Sequence, residues 1–456
     1  MKKLLWFIFV LAFFLRIYQV GQPVLKEDEF STVKAAAYIY HCQKDPDQCR
    51  YQSTSFKSRL LALITANETV PNLGAEVYFW DFIKSEPSQV HSSRAWPHLY
   101  SLASVYHWLG ISEFSSRLVS VISGSLLVIA GYWFSRVMGG SVNFSLMYSA
   151  ILALAFPLVD YARVARMYPL YGLVFLLLVG VWHRSKRLTA GLLFLLAYWL
   201  HLLTLILPIA WLVWAIIKKQ WRLVAVFILA LIGLIILNGY LKVDFFQQQF
   251  LGWARLPHWQ YVKFLFSYPF PWWIGLALFL FNRRQRYLKI IIIVYLLVLI
   301  FITNFPPGGA YVLALLPLSI WVQLDTIKPR WWLGAVLVLA GCWLVAGSGY
   351  LYFGRDGQAK ITRAYPAMLV EFKPGDKILA VQLRDYYLQD LPPDTPVIDL
   401  QENPYPEFSG SGFVVWEQEK SRHFKPEVLN YIRTNFKHLA GEGLDNWGVE
   451  IYLFGK

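Results

Sequence analysis

The chain is 456 residues long, 57% hydrophobic and 17% aromatic, carries a net charge of +14, and is only 15% charged, against about 25% in soluble domains. That balance excludes a soluble globule, a disordered chain and a disulfide scaffold, because too few polar side chains exist to cover a water-facing surface. It leaves an α-helical polytopic membrane protein, whose apolar faces are solvated by lipid.

The first apolar run, about 4–21, follows Lys2-Lys3. No small-x-small cleavage pattern follows it and Arg16 interrupts its end, so it reads as a retained span rather than a signal peptide. Residues 22–116 form a long outer loop, whose semi-apolar stretches Ser31–Tyr40, Arg59–Ile64 and Pro97–Leu109 suit helices lying on the membrane surface. Ten further spans are predicted at about 117–137, 143–159, 168–183, 188–202, 203–217, 223–241, 270–282, 289–304, 310–324 and 331–351.

With the N-terminus inside, the connections rich in Lys and Arg all fall on the cytoplasmic side: Arg136, Arg184–Arg187, Lys218–Arg222, Arg283–Lys289 and Asp325–Arg330. Removing these and Lys2-Lys3 from the 42 basic and 28 acidic residues leaves 27 of each. The excess charge therefore reports topology by the positive-inside rule and not a nucleic-acid partner. Residues 1–351 form the transmembrane module. Residues 352–456 form an extracytoplasmic α/β domain, with strands expected at Ile378, Val397, Phe413 and Val449 and an amphipathic helix over Pro426–Leu439. Cys42 and Cys49 lie in the outer loop as either a small bridge or two free thiols.

Charged groups near a membrane are costly, so those just outside the spans are candidate sites. Lys26-Glu27-Asp28-Glu29 follows the first span. A carboxylate there suits proton removal from a hydroxyl, and an interfacial loop that stays wet explains it as well. After the third span, Arg163 and Arg166 lie three apart, so a helix would place both on one face, able to fork onto a phosphate. Asp160 sits three residues before Arg163 and is placed to neutralise it. His201, His98, His91, Arg94 and Arg117 also fall on the outer side. Asn304 to Tyr311 includes Pro-Pro-Gly-Gly, an irregular outer loop. No nucleotide-binding glycine loop, HExxH or paired CxxC occurs. A substrate presenting a phosphate and a hydrocarbon tail at that surface is a polyprenyl-phosphate lipid.

Four features together resemble the GT-C glycosyltransferases, and within them glycosyltransferase family 39 with the protein O-mannosyltransferases and the aminoarabinose transferase of lipid A. They are an acidic pair after the first span, a long first outer loop, S-E-F-x-x-R-L-x-S at Ser112–Ser120 and A-R-M-Y at Ala165–Tyr168. The resemblance covers roughly the first 210 residues, and the ending His438–Phe454 is similar to tails of bacterial members. It implies inverting transfer of a hexose or pentose from a polyprenyl-phosphate donor to a hydroxyl on the extracytoplasmic face, in the plasma or inner membrane. The acceptor is a lipid, glycan or protein.

On the same resemblance Asp28 and Glu29 are the catalytic acids, with Asp28 the base. Arg166, Arg163, His201, Tyr168 and Tyr311 bind the donor phosphate, and Asp160, Arg117 and His98 support them. Three patterns depart from the family. Arg163-Val164 stands for a common Q-E, so the second acid falls to Asp160. Trp96-Pro97-His98-Leu99-Tyr100 stands for H-P-P-L-Y, and Ala310-Tyr311 for a late R-Y. Metal dependence stays open, with Asp28 and Asp160 as the acids that would serve a divalent ion. The competing functional class is a transporter or flippase of a lipid-linked sugar, which should show midplane charges and inverted repeats.

Overall fold

The structure is a computed structural model. It describes residues 2–18, 95–240, 259–302, 309–327, 367–380, 395–399, 410–417, 426–440 and 449–455, with scattered positions between 20 and 40. Asp28, Cys42, Cys49, His91, Arg94, the stretch Arg59–Ile64, most of the Pro-Pro-Gly-Gly loop and the eleventh predicted span lie outside the described residues. The chain divides into two compact units, Met1–Tyr18 with Ser31–Trp343, and Gln19–Phe30 with Leu344–Lys456.

The first unit is helical: α1 Lys2–Ile17, α2 Trp96–Leu109, α3 Glu113–Val137, α4 Val142–Leu154, α5 Phe156–Ala162, α6 Tyr168–His183 and α7 Arg187–Leu200. A short 3-10 turn, Leu202–Leu205, leads into α8 Ile206–Ile217 and α9 Trp221–Tyr240. Then come α10 Gln260–Phe266, α11 Trp272–Phe281, α12 Arg286–Phe301, α13 Gly309–Val312 and α14 Leu316–Leu324. Among the described residues α3, at 25 residues, is by length and composition able to cross a membrane as one helix. α6, α7, α8 and α11 are apolar but shorter. Large apolar side chains face outward, including Phe7 (64% exposed), Leu188 (81%), Leu229 (69%) and Phe281 (78%). A perimeter of that kind is stable against hydrocarbon rather than water.

Two expected single spans are broken. The run 143–159 is two helices, α4 and α5, bent by 56° at Ala155. Pro157 causes the break, since it has no N–H for the carbonyl of Ala153. Arg16 supplies the missing donor. Its Nη1 donates to the carbonyls of Ala12 (2.9 Å) and Ala153 (3.3 Å), and its Nη2 to Leu152 (3.3 Å). Fully buried, this side chain fastens the end of α1 to the end of α4. Gly124 of α3 permits the approach: a Cβ there would stand 2.6 Å from Cβ of Ala162 and 3.2 Å from Nε of Arg16. Replacing Arg16 by Met strands those carbonyls in an apolar setting, so it should cost about 1–3 kcal/mol, read as a lower melting temperature in detergent. The run 310–324 is likewise divided into α13 and α14, with Pro317 in the first turn of α14.

The described part of the second unit is a five-stranded sheet in the order β2-β1-β3-β5-β4. Its strands are β1 Lys377–Ala380, β2 Val397–Asp399, β3 Gly412–Glu417, β4 Lys437–Ala440 and β5 Val449–Phe454. β1 pairs in parallel with β2 and β3, and β5 pairs antiparallel with β3 and β4. Alternation of side chains along the strands makes two cores. Ile378, Phe413, Val415 and Ile451 fill one. Leu379, Val414, Tyr452 and Phe454 fill the other, against Val428 and Ile432 of α15, Pro426–Asn435. The helix expected over Pro426–Leu439 therefore stops early. Lys437–Ala440 is a strand that pairs with β5, which sends Phe436 and Leu439 into opposite cores.

Candidate active site

The link between α5 and α6 is irregular from Arg163 to Met167, and it contains both candidate arginines. Pro169 at the start of α6 restricts the residue before it and brings no N–H. Arg163 and Arg166 consequently do not share a helix face, contrary to the spacing argument. Nη1 of Arg163 donates to the carbonyl of Leu15 in the last turn of α1 (3.2 Å), while Nη1 of Arg166 donates to Oγ1 of Thr32 (3.2 Å). Both guanidiniums are buried. So is Arg117, in the second turn of α3.

Around Arg166 the structure gathers residues from four other elements. Its guanidinium stands 5.8 Å from the ring of Tyr168. The Tyr168 ring lies 6.0 Å from Tyr311 of α13 and 5.9 Å from His201, and His201 lies 6.0 Å from Tyr311. Tyr171, one turn further along α6, brings its ring to 5.1 Å from His201. The main chain of His201 is extended between α7 and the 3-10 turn, and its Nδ1 accepts from the N–H of Leu203 (3.2 Å). That bond leaves Nε2 to carry the proton of the neutral ring. From α2, His98 is close enough for the charge of Arg166 to act on it. Burial first and Arg166 second push its pKa down to about 3, so the ring is neutral.

Arg166, Tyr168, His201 and Tyr311 thus come together, and His98 feels the charge of Arg166 from α2. Arg163 reaches toward α1 instead, and Asp160 is half-buried on α5. Glu29 is buried and belongs to the second unit. Among the described residues no group of three His, Cys, Asp or Glu side chains gathers as a metal site would require. The described arrangement offers a buried cation, imidazole N–H groups and phenol rings, which is chemistry for an anion next to a sugar or lipid.

No protein-family model matches the chain, and no curated protein sequence does. Solved structures do match. The chain superposes on the crystal structure of ArnT from Cupriavidus metallidurans bound to undecaprenyl phosphate with a TM-score of 0.57 at 12% identity, covering 98% of this chain and 97% of that one. It superposes on the apo form of the same protein with a TM-score of 0.60 at 11% identity, covering 99% and 97%.

The chain has the ArnT fold. At this level of identity the likeness shows the fold, and it extends over the whole chain.

Within the ArnT fold of this chain, two positioning residues had no role assigned from the sequence. Oγ of Ser120 donates to the carbonyl of Arg166 (2.8 Å), and Oγ of Ser116 pairs with the hydroxyl of Tyr106 on α2 (2.8 Å). Their four-residue spacing inside S-E-F-x-x-R-L-x-S was the available signal, since it sets both on one face of α3. Ser112 opens that helix with a capping box, exchanging hydrogen bonds with Ser115. Thr32 falls inside a predicted surface helix but carries no pattern of its own. Ser120→Ala should loosen the main chain at Arg166 by one buried hydrogen bond, about 1 kcal/mol, read as a lower melting temperature in detergent.

Proposed function

We propose that this chain is an integral membrane glycosyltransferase that moves a sugar from a polyprenyl-phosphate donor to an acceptor hydroxyl on the extracytoplasmic face, with inversion. The observation that carries this reading is the ArnT fold over the whole chain, one ArnT structure being bound to undecaprenyl phosphate. The buried Arg166 among Tyr168, His201 and Tyr311 supports it. In this reading residues 1–351 span the membrane eleven times with the N-terminus cytoplasmic, and residues 352–456 are extracytoplasmic.

The reaction runs as one displacement. Asp28 takes the proton of the acceptor hydroxyl, with Glu29 as the neighbouring acid. The acceptor oxygen attacks the anomeric carbon from the face opposite the phosphate. The bond from that carbon to the phosphate oxygen breaks, and the electron pair leaves on the lipid phosphate. Arg166, with Tyr168, His201 and Tyr311, binds that phosphate and stabilises the growing charge. Arg163, Arg117 and Asp160 hold the surrounding backbone and charge balance. Asp28 as base rests on its position directly after the first span and on the family resemblance.

The test uses purified protein in liposomes, a radiolabelled polyprenyl-phosphate sugar and mixed acceptors. Release of free polyprenyl phosphate in step with labelled acceptor is the expected result. Label crossing the bilayer with no acceptor labelled would replace the transferase by a carrier of lipid-linked sugar.

A further inference from the structure

α6 starts at the candidate site with Tyr168 and reaches Trp182 about 21 Å away, at 1.5 Å per residue. At that far end a row of rings joins α6 to the second half of α8 and the first turn of α12. Trp182 stacks on Trp211 at 4.0 Å and 11°. Nε1 of Trp211 donates to the hydroxyl of Tyr287 (3.1 Å), whose ring lies 5.6 Å from Trp214. A cation sits at each end of the row. Cζ of Arg187 is 4.3 Å from the centre of the Trp182 ring, and Nζ of Lys218 is 4.9 Å from that of Trp214.

Both cations are held in place without being neutralised. Arg136 and Lys289, at other helix ends, donate to main-chain carbonyls. Arg187 and Lys218 donate to no carbonyl and pair with no carboxylate among the described residues. No Asp or Glu occurs between Arg184 and Arg222, where six residues are Arg or Lys. Lys218 follows the C-terminus of α8, and the helix dipole accounts for a cation there. Arg187 is the first residue of α7, where the dipole disfavours a cation and favours an anion. α12 also starts here, beside Tyr287, and neither helix has a side-chain cap. A cation resting on a ring has little freedom left to lose when an anion arrives. The adjoining surface is apolar and faces outward, with Leu188 81% and Trp221 66% exposed.

We propose that Arg187 and Lys218 bind the phosphate of an anionic phospholipid, in the leaflet opposite the candidate active site, with its acyl chains against Leu188 and Trp221. A lipid supplies both the phosphate for the cations and the hydrocarbon for the apolar surface, whereas free phosphate supplies only the first. An anionic headgroup suits the site better than phosphatidylcholine, whose own ammonium offsets its phosphate. The inference rests on the chain lying in a bilayer and is independent of the sugar chemistry proposed above.

The experiment titrates the delipidated full chain in detergent with phosphatidylglycerol or phosphatidylcholine and counts bound lipid by native mass spectrometry. Each cation is worth about 1 kcal/mol toward an anionic headgroup, so Arg187→Gln and Lys218→Gln should each weaken phosphatidylglycerol binding about fivefold, and the double variant about twenty-fivefold. Phosphatidylcholine binding should stay within about twofold. Arg283→Gln with Arg284→Gln removes the same charge from exposed side chains that lie over no ring among the described residues, and should leave phosphatidylglycerol binding within about twofold. Wild-type binding of phosphatidylglycerol in the double variant would overturn the proposal. So would an equal loss in the Arg283 and Arg284 pair, which would mean a diffuse field of charge and no built site. Displacement of phosphatidylglycerol by inorganic phosphate would replace the lipid by a free anion. The substituted side chains are exposed, so the variants should melt with the wild type; if the double variant does not fold, the two single variants decide, and binding unchanged in both sinks the site. Absence of sugar transfer by the wild type would end the transferase reading and leave this result standing.

Discussion

Asp28→Asn should lower sugar transfer by about 10²–10⁴ while leaving undecaprenyl phosphate affinity within about twofold, because a positioned general base contributes a factor of that size and the phosphate is held by other groups. A sugar or lipid hydroxyl holds its proton far too tightly to attack unaided at neutral pH. Bond formation to the anomeric carbon and proton removal therefore have to coincide, and in the proposed reaction Asp28 is the acceptor of that proton. Asparagine keeps the shape of aspartate and loses the basic oxygen, so the loss should appear in the rate of the chemical step and not in donor binding. Glu29→Gln is the companion measurement. Glu29 is buried, so its own loss mixes any chemical role with the disturbance of a packed group. Purified variants given labelled donor and acceptor report the rates. Asp28→Asn transferring at the wild-type rate would remove the base assignment, and a large loss confined to Glu29→Gln would move the role one residue along.

What could be read from the sequence depended on the range of the interaction involved. The apolar run over 168–183 matches α6 at both ends, because charged residues at Arg184 and beyond stop it and Pro169 starts it. The strand patterns at Ile378, Phe413 and Val449 also match, since alternation of side chains is a local property. Breaks inside apolar runs were hidden by averaging of hydropathy, although Pro157 and Pro317 marked both of them. Arg16 looked like an interruption of the first span. In the structure it caps the carbonyls that Pro157 leaves open, a relation between residues 16 and 153 that no local pattern contains. Arg163 and Arg166 part for a related reason: three-residue spacing means one face only inside a helix, and Arg163 to Met167 is not helical. Phe436 and Leu439 fit a helical spacing equally well, and pairing with β5 decided for strand.

The candidate site shows the same division. Arg166, His201 and Tyr311 come from elements far apart in the chain, so their meeting is tertiary information. The order of motifs and the resemblance they carried nominated all three; spacing alone offered no way to pair them. Ser120 illustrates the opposite case. It was inside a recognised motif, and its role became visible only when its hydroxyl was seen on the carbonyl of Arg166.

Arg166→Ala should weaken handling of the donor by about 10²–10³, the usual effect of removing one preorganised group that stabilises developing charge. The described contacts of Arg166 separate what is lost from what is kept. The guanidinium donates to Thr32 and lies near the Tyr168 ring, and both contacts vanish with the side chain. The main chain at this residue is held independently by Ser120, so the link between α5 and α6 should keep its path. The variant should therefore melt near the wild-type temperature while losing affinity for undecaprenyl phosphate. Arg166→Lys restores the charge as a single point without the planar fork, and it should recover only part of the loss. Arg163→Ala is the contrast that gives the result meaning. Arg163 donates to the carbonyl at the end of α1, so its removal should lower stability more than donor affinity. If Arg166→Ala bound undecaprenyl phosphate as the wild type does, the phosphate would have to be held by other groups, and Arg163, released from its structural role, would be the next cation to test.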